Sequence, residues 1–280
     1  MEPKLNYSLK KHNSWHIPSV GEEVYIPNTT EELSAIIQKI KTFGLWVGLG
    51  SNILLPEKIK QPVILPQKFI NTIHTEENYI YAQAGVTCSK MAKKCITLGY
   101  EKSIFFGGIP GTIGGALNMN AGAFGSETWD HVIFVDVIDI QGNIQRIKPD
   151  MFDVSYRHIN KPFPLKFIGA GFRFDVGCPD KASAELKKLI EKRNLSQPIG
   201  TFNCGSVFKN PYPHHAAKLI ESCDLKGYTY KGAQVSPKHA NFIINIGDAT
   251  YESILKVINH VKKTVFENTN IQLCNEVIIL

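Results

Sequence analysis

Between residues 107 and 125 the chain places seven glycines in 19 positions, from Gly107-Gly108-Ile109-Pro110-Gly111-Thr112-Ile113-Gly114-Gly115-Ala116 through Asn118-Met119-Asn120-Ala121-Gly122-Ala123-Phe124-Gly125. A glycine inside a regular element costs about 0.5–1 kcal/mol relative to alanine, so a run this dense needs a compensating demand for bare backbone. One such demand is the approach of main-chain N–H groups to a diphosphate, where a side chain would block access. Thr112, Asn118 and Asn120 would then add side-chain hydrogen bonds. The other is a set of tight turns with close helix packing, and glycine content alone leaves both open. A second loop, Gly48-Leu49-Gly50-Ser51-Asn52, moves the reading toward a large dinucleotide. Neither loop is a G-x-G-x-x-G turn opening a helix with an acidic residue about 20 positions on, which disfavours a Rossmann NAD site.

The pattern around these loops is mixed α and β. Thr29 with Glu32 reads as a capping box, and Leu33, Ile36, Ile37, Ile40 and Phe43 recur at helical spacing until Gly44. Short apolar strands are expected at 46–47, 53–55 and 63–65, a strand at 79–84, and a helix through Met91, Ala92, Cys95, Ile96 and Leu98 that Gly99 closes. Residues 132–147 read as a hairpin turning at Gln141-Gly142-Asn143. A charged amphipathic helix over 181–193 marks the expected entry to a separate C-terminal domain, with helices at 214–222 and 251–267, a strand at 242–245 and a last strand at 276–280.

Composition excludes several function classes. No run approaches the roughly 18 apolar residues of a membrane helix, and Met1-Glu2-Pro3-Lys4 leads into polar residues, so a cytoplasmic protein without membrane insertion is expected. The six cysteines form no C-x-x-C pair and are expected to be reduced thiols. His239 and the His214-His215 pair lack a third ligand at metal spacing, so no metal is expected. The net charge of +6 suits a phosphate-bearing partner or simply a basic surface. Lysines and arginines are dispersed and not interleaved with aromatics, which argues against nucleic acid.

The segments Gly48 to Leu55, Gly108 to Ala116 and Asn120 to Gly125 resemble the FAD-binding signatures of the UDP-N-acetylenolpyruvoylglucosamine reductase family. The resemblance continues in order through Ser155-Tyr156-Arg157, Gln197-Pro198, Gly205-Ser206-Val207-Phe208-Lys209-Asn210-Pro211, Asp224-Leu225-Lys226-Gly227, His239-Ala240-Asn241-Phe242-Ile243-Ile244-Asn245 and Glu276-Val277, covering about residues 28–277. It departs at 16–21, where His16-Ile17-Pro18-Ser19-Val20-Gly21 replaces the family's usual Val-Gly-Gly-like turn. The short interval after Arg157 resembles the compact variant of the family, without an extra substrate-covering insertion.

The resemblance implies an α+β fold: an FAD-binding domain of the PCMH/VAO type at 1–178, with two α/β subdomains at about 1–66 and 67–178, then an α+β substrate domain at 179–280. It implies non-covalent FAD, NADPH as co-substrate, a UDP-sugar enolpyruvyl ether as substrate, and a monomer. Gly48, Leu49, Gly50, Ser51, Asn52, Gly108, Ile109, Pro110, Gly111, Thr112, Ile113, Gly114, Gly115, Asn120, Gly122 and Ala123 match cofactor positions. Arg157, Ser206 and Glu276 match the catalytic set, in which Ser206 donates a proton, Arg157 holds a carboxylate as charge develops, and Glu276 polarises or protonates the same intermediate. Tyr156, Lys209 and Asn210 match substrate contacts. Two other readings remain at this level: a different FAD-linked oxidoreductase of the same cofactor fold, and a non-catalytic nucleotide-binding relative.

Overall fold

A computed structural model describes residues 1–66 and 69–280. The start of the expected second subdomain at residue 67 lies outside the described residues. The chain divides into two compact units, and neither is continuous in sequence: the first comprises Met1–Leu5, Glu23–Gly48 and Gln61–Lys192, the second Asn6–Glu22, Leu49–Lys60 and Arg193–Leu280.

The first unit opens with a βαβ element. Helix α1 (Thr30–Ile40) starts where the Thr29 hydroxyl accepts the Glu32 N–H at 3.2 Å, and it stops where Lys41 turns left-handed. Its Leu33, Ile36 and Ile37 pack with Tyr25 and Ile64 over parallel strands in which Val63–Ile64 lies between Val24–Tyr25 and Leu45–Trp46. A larger antiparallel sheet follows, in the order 144–147, 132–139, 165–172, 80–83, 73–75. Its central strand, Leu165–Phe172, is almost wholly buried, because both faces and both edges are covered. Helices α2 (Cys88–Thr97) and α3 (Ile113–Met119) contribute Met91, Cys95, Ile113 and Leu117 to the core on this sheet.

Helix α4 (Pro179–Ser196) had been expected to open the C-terminal domain, yet Ala182, Leu186 and Leu189 pack on Ile96 and Ile104. The first unit therefore runs on to Lys192, past the expected boundary at 178/179.

The second unit is built on an antiparallel sheet in the order 202–203, 243–245, 233–235, 229–230. Helix α5 (Ala216–Ser222) and helix α6 (Tyr251–Thr269) bury Ile220 and the Ile254, Val257, Ile258, Val261, Val265 stripe in its core. The N-terminal segment is part of that core: Trp15 and Ile17 are fully buried, the Trp15 indole N–H donates to the Ile243 carbonyl at 2.7 Å, and Asn245 Nδ2 donates to the Trp15 carbonyl at 2.8 Å. Near the C-terminus, Ile278–Ile279 pairs in parallel with Ile53–Leu54.

Candidate active site

In the second unit the segment 205–209 is held on both sides. The Asn241 carbonyl accepts the Val207 N–H at 2.9 Å, while its side-chain amide accepts from the Phe208 N–H at 3.0 Å and donates to the Phe208 carbonyl at 2.9 Å. Opposite, Lys209 N–H donates to the Cys274 carbonyl at 2.9 Å and Phe208 bridges to Asn275. The N–H groups of Glu276 and Val277 both converge on the Val207 carbonyl, at 2.8 and 3.3 Å. Two successive donors on one acceptor form the pattern of a β-bulge, a device that re-aims the side chain it carries.

Ser206 and Glu276 are thus brought onto adjoining paired segments, both half-buried. Asn52, at the end of the Gly48–Asn52 loop, donates through Nδ2 to the Glu276 carbonyl at 3.1 Å. Gly205 turns left-handed just before Ser206, and its N–H is fixed by the Asn203 side chain at 2.9 Å. Burial, and secondarily the Glu276 carboxylate, push the Cys204 thiol well above its ordinary range. It therefore stays protonated and is no nucleophile. Lys209 is half-buried; Asn210 uses its Oδ1 to accept the Ala216 N–H at 3.0 Å and so anchors the start of α5.

In the first unit the glycine segment becomes a turn and the short helix α3. The Thr112 hydroxyl caps it through Gly115 N–H, and the N–H groups of Ile113 and Gly114 donate to Val86 and Ala84 carbonyls at 2.8 Å each. Those two donors are committed inside the protein. Gly114 is explained by packing, since a Cβ there would lie 2.9 Å from the Ala84 Cβ and 3.1 Å from its carbonyl oxygen. Gly115 is not: a Cβ there would meet nothing nearer than the Thr112 hydroxyl at 3.8 Å. A helical glycine that the protein's own packing does not need leaves bare backbone where a bound ligand has room to approach.

Asn120, expected at the cofactor, ends α3 in a left-handed conformation with both sides of its buried amide spent. Nδ2 donates to Glu127 Oε2 at 2.6 Å and Oδ1 accepts the Trp129 N–H at 3.1 Å. Arg157 joins the same network. Its Nη1 donates to the Asn120 carbonyl at 3.0 Å and to Glu127 Oε1 at 3.3 Å, and Nη2 donates to the Gly122 carbonyl at 2.9 Å. The residue closes the two-residue turn between strands 153–155 and 158–160 at φ 55°, a left-handed position that costs a non-glycine residue about 1–3 kcal/mol. The Tyr156 ring, largely exposed, lies 4.9 Å from its guanidinium carbon.

Three comparisons bear on this arrangement. Residues 22–148 match the FAD binding domain family, and residues 197–280 match the family described as UDP-N-acetylenolpyruvoylglucosamine reductase, C-terminal domain. The UDP-N-acetylenolpyruvoylglucosamine reductase of Coxiella burnetii (strain Dugway 5J108-111) is 41% identical over 98% of this chain and 94% of its own length. The chain belongs to the UDP-N-acetylenolpyruvoylglucosamine reductase family. The reductase of Alkalilimnicola ehrlichii is 40% identical over 97% of the chain and 92% of the relative. The crystal structure of the Thermus caldophilus reductase shares the fold at a TM-score of 0.83 and 24% identity, covering 99% of this chain and 98% of that one. As a reductase of this family the protein is an FAD-dependent oxidoreductase with an α+β fold.

Among the described residues no group of three or more His, Cys, Asp or Glu could hold a metal ion, and no helix is long and apolar enough to cross a membrane. Three residues that hold these segments were not singled out in the sequence: Asn241 lies in a quoted motif, so a signal existed, whereas Glu127 and Asn275, whose buried Oδ1 has no hydrogen-bond partner among the described residues, had none.

Proposed function

We propose that the protein reduces the enolpyruvyl double bond of UDP-N-acetylglucosamine enolpyruvate to give UDP-N-acetylmuramate, using NADPH and non-covalent FAD, as a step of peptidoglycan precursor synthesis in the cytoplasm. The observation that carries this reading is the pairing of segment 205–209 with 274–277, which sets Ser206 beside the bulge bearing Glu276. In this reading residues up to about 178 chiefly hold the cofactor and 179–280 chiefly hold the substrate.

Two features support FAD binding in this reading: bare backbone at Gly115, and a second glycine loop ending in the anchored Asn52. When bound, FAD supplies the relay of a hydride from NADPH to the substrate's double bond. Addition at the terminal carbon leaves negative charge on the neighbouring carbon and its carboxylate. Arg157, permanently charged, holds that carboxylate and stabilises the charge as it grows. Ser206 delivers the proton to the carbon. Glu276 polarises or protonates the same intermediate, and Tyr156, Lys209 and Asn210 line the substrate.

Ser206→Ala tests the assignment by separating the half-reactions. Bleaching of the flavin band by NADPH needs no protein acid and should be nearly unchanged. Recovery of the band on adding the enolpyruvyl substrate should slow about 10²- to 10⁴-fold, the usual cost of losing a placed proton donor. Stopped-flow absorbance reads both phases, and an unimpaired recovery removes Ser206 from the mechanism.

A further inference from the structure

Glu127 lies outside every sequence motif assigned a role above, yet both of its carboxylate oxygens are engaged by groups that matter. Oε2 accepts from the Asn120 amide and Oε1 from Arg157 Nη1. Its own backbone is fixed twice: it pairs with Gly122 in the short hairpin 122–127, and its N–H donates to Asp130 Oδ2 at 2.9 Å in the cap of the following turn. Arg157, in turn, holds a left-handed backbone that its surroundings must enforce, and its guanidinium donates to the Asn120 carbonyl, Glu127 Oε1 and the Gly122 carbonyl.

We propose that Glu127 is the positioning residue for Arg157, orienting the guanidinium so that it meets the substrate's carboxylate; the proposal rests on the role given to Arg157 above. The chemistry requires a carboxylate. Asn120 Nδ2 and Arg157 Nη1 are both donors, so the residue between them must accept on two sides at once. Glutamine would turn an NH₂ group against one of them, and alanine would remove the carboxylate that joins them, leaving Asn120 Nδ2 the Ser155 carbonyl at 3.3 Å and Arg157 Nη1 the Asn120 carbonyl. Because Asn120 is the left-handed cap of α3, the same carboxylate ties the orientation of Arg157 to the end of the glycine-rich helix.

The experiment uses holoenzyme of Glu127→Ala, Glu127→Gln, Arg157→Ala and the Glu127→Ala/Arg157→Ala double variant. For each, stopped-flow absorbance follows bleaching by NADPH and recovery with the enolpyruvyl substrate, and calorimetry gives the substrate's Kd from oxidised enzyme. Misplacing a charged group by about 1 Å costs on the order of 10²-fold, so Glu127→Ala should slow recovery by about that factor and weaken substrate binding. Bleaching should be nearly unchanged, since hydride transfer to the flavin does not use Arg157. Glu127→Gln should fall between it and the parent, and it carries the test if the alanine variant does not fold. In the double variant recovery should be no slower than with Arg157→Ala alone, since a residue acting only through Arg157 has nothing left to position. Equal slowing of both phases, or losses that multiply in the double variant, would overturn the proposal and leave Glu127 a loop support. Slow recovery with Arg157→Ala but normal recovery with both Glu127 variants defeats the positioning role and spares Arg157. Normal recovery with Arg157→Ala defeats the reading beneath it.

Discussion

His131 shows what a single titratable side chain does in this fold. Its ring stacks on Phe105 and lies tilted against Phe174, with centroids 5.6 and 4.6 Å away, and its Nε2 lies 2.9 Å from the Ser126 hydroxyl in the 122–127 hairpin. Burial pushes its pKa below the ordinary value, against the opposing field of Asp130. The unfolded chain therefore binds the proton first, and stability falls as pH drops through about 6.5 toward the lower folded value. Denaturant midpoints at pH 7.5 and 5 should show a larger acid loss in the parent than in His131→Phe, which keeps the stacking and removes the titration. Equal losses would mean that the ring is hydrated in the folded state. Sequence gave no sign of this residue, since stacking partners 26 to 43 positions away in the chain leave no local pattern. Ser206, Arg157 and Glu276 were legible only as matches to motifs, and Glu127 not at all, because its role exists only once residues 120, 127 and 157 meet.

Among elements, those set by local chemistry were readable. The α1 cap at Thr29 and the hairpin turning at 141–143 formed where expected, whereas α1 ends at Ile40, capped by left-handed Lys41, short of the expected run through Phe43 to Gly44. The reciprocal half of the α1 capping box closes one residue early, with the Glu32 carboxylate taking the Asn28 N–H at 2.7 Å. Helix α2 begins at Cys88, ahead of the apolar run from Met91, because Thr87 caps it. Two-residue strands such as 58–59 and 122–123 were invisible, since pairing alone defines them. In helix α3 the two readings of the glycine run lead to different expectations for Gly114 and Gly115. Gly114→Ala should lower apoprotein stability by about 1–3 kcal/mol through overpacking on Ala84. Gly115→Ala should raise it by up to about 1 kcal/mol while weakening FAD binding. Thermal melts and FAD titrations of both apoproteins separate the two effects, and unchanged FAD affinity in Gly115→Ala would return that glycine to helix geometry alone.

At the scale of the whole molecule the chain doubles back, which a left-to-right reading misses. Sequence pattern suggested consecutive domains because composition changes character near the start of α4, whereas residues 6–22 and 49–60 are built into the unit that is mostly C-terminal. The reason is visible at Trp15. A fully buried indole, bonded to the Ile243 carbonyl and held through its own carbonyl by Asn245, makes the N-terminal segment part of the second core. Asn13 folds that segment into shape, donating to the Leu9 and Ile17 carbonyls and accepting the Ile17 N–H. Trp15→Ala should remove about 3–5 kcal/mol by the cavity it leaves, with a further loss from the unpaired Ile243 carbonyl. The location of the damage is the sharper expectation. Amide hydrogen exchange should lose protection across strands 233–235 and 243–245, whereas the amides of 165–172, in the core of the other unit, should hold theirs. A uniform loss across both sets of strands would show instead that the two units unfold as one cooperative body, and that Trp15 supports the whole chain and not one core.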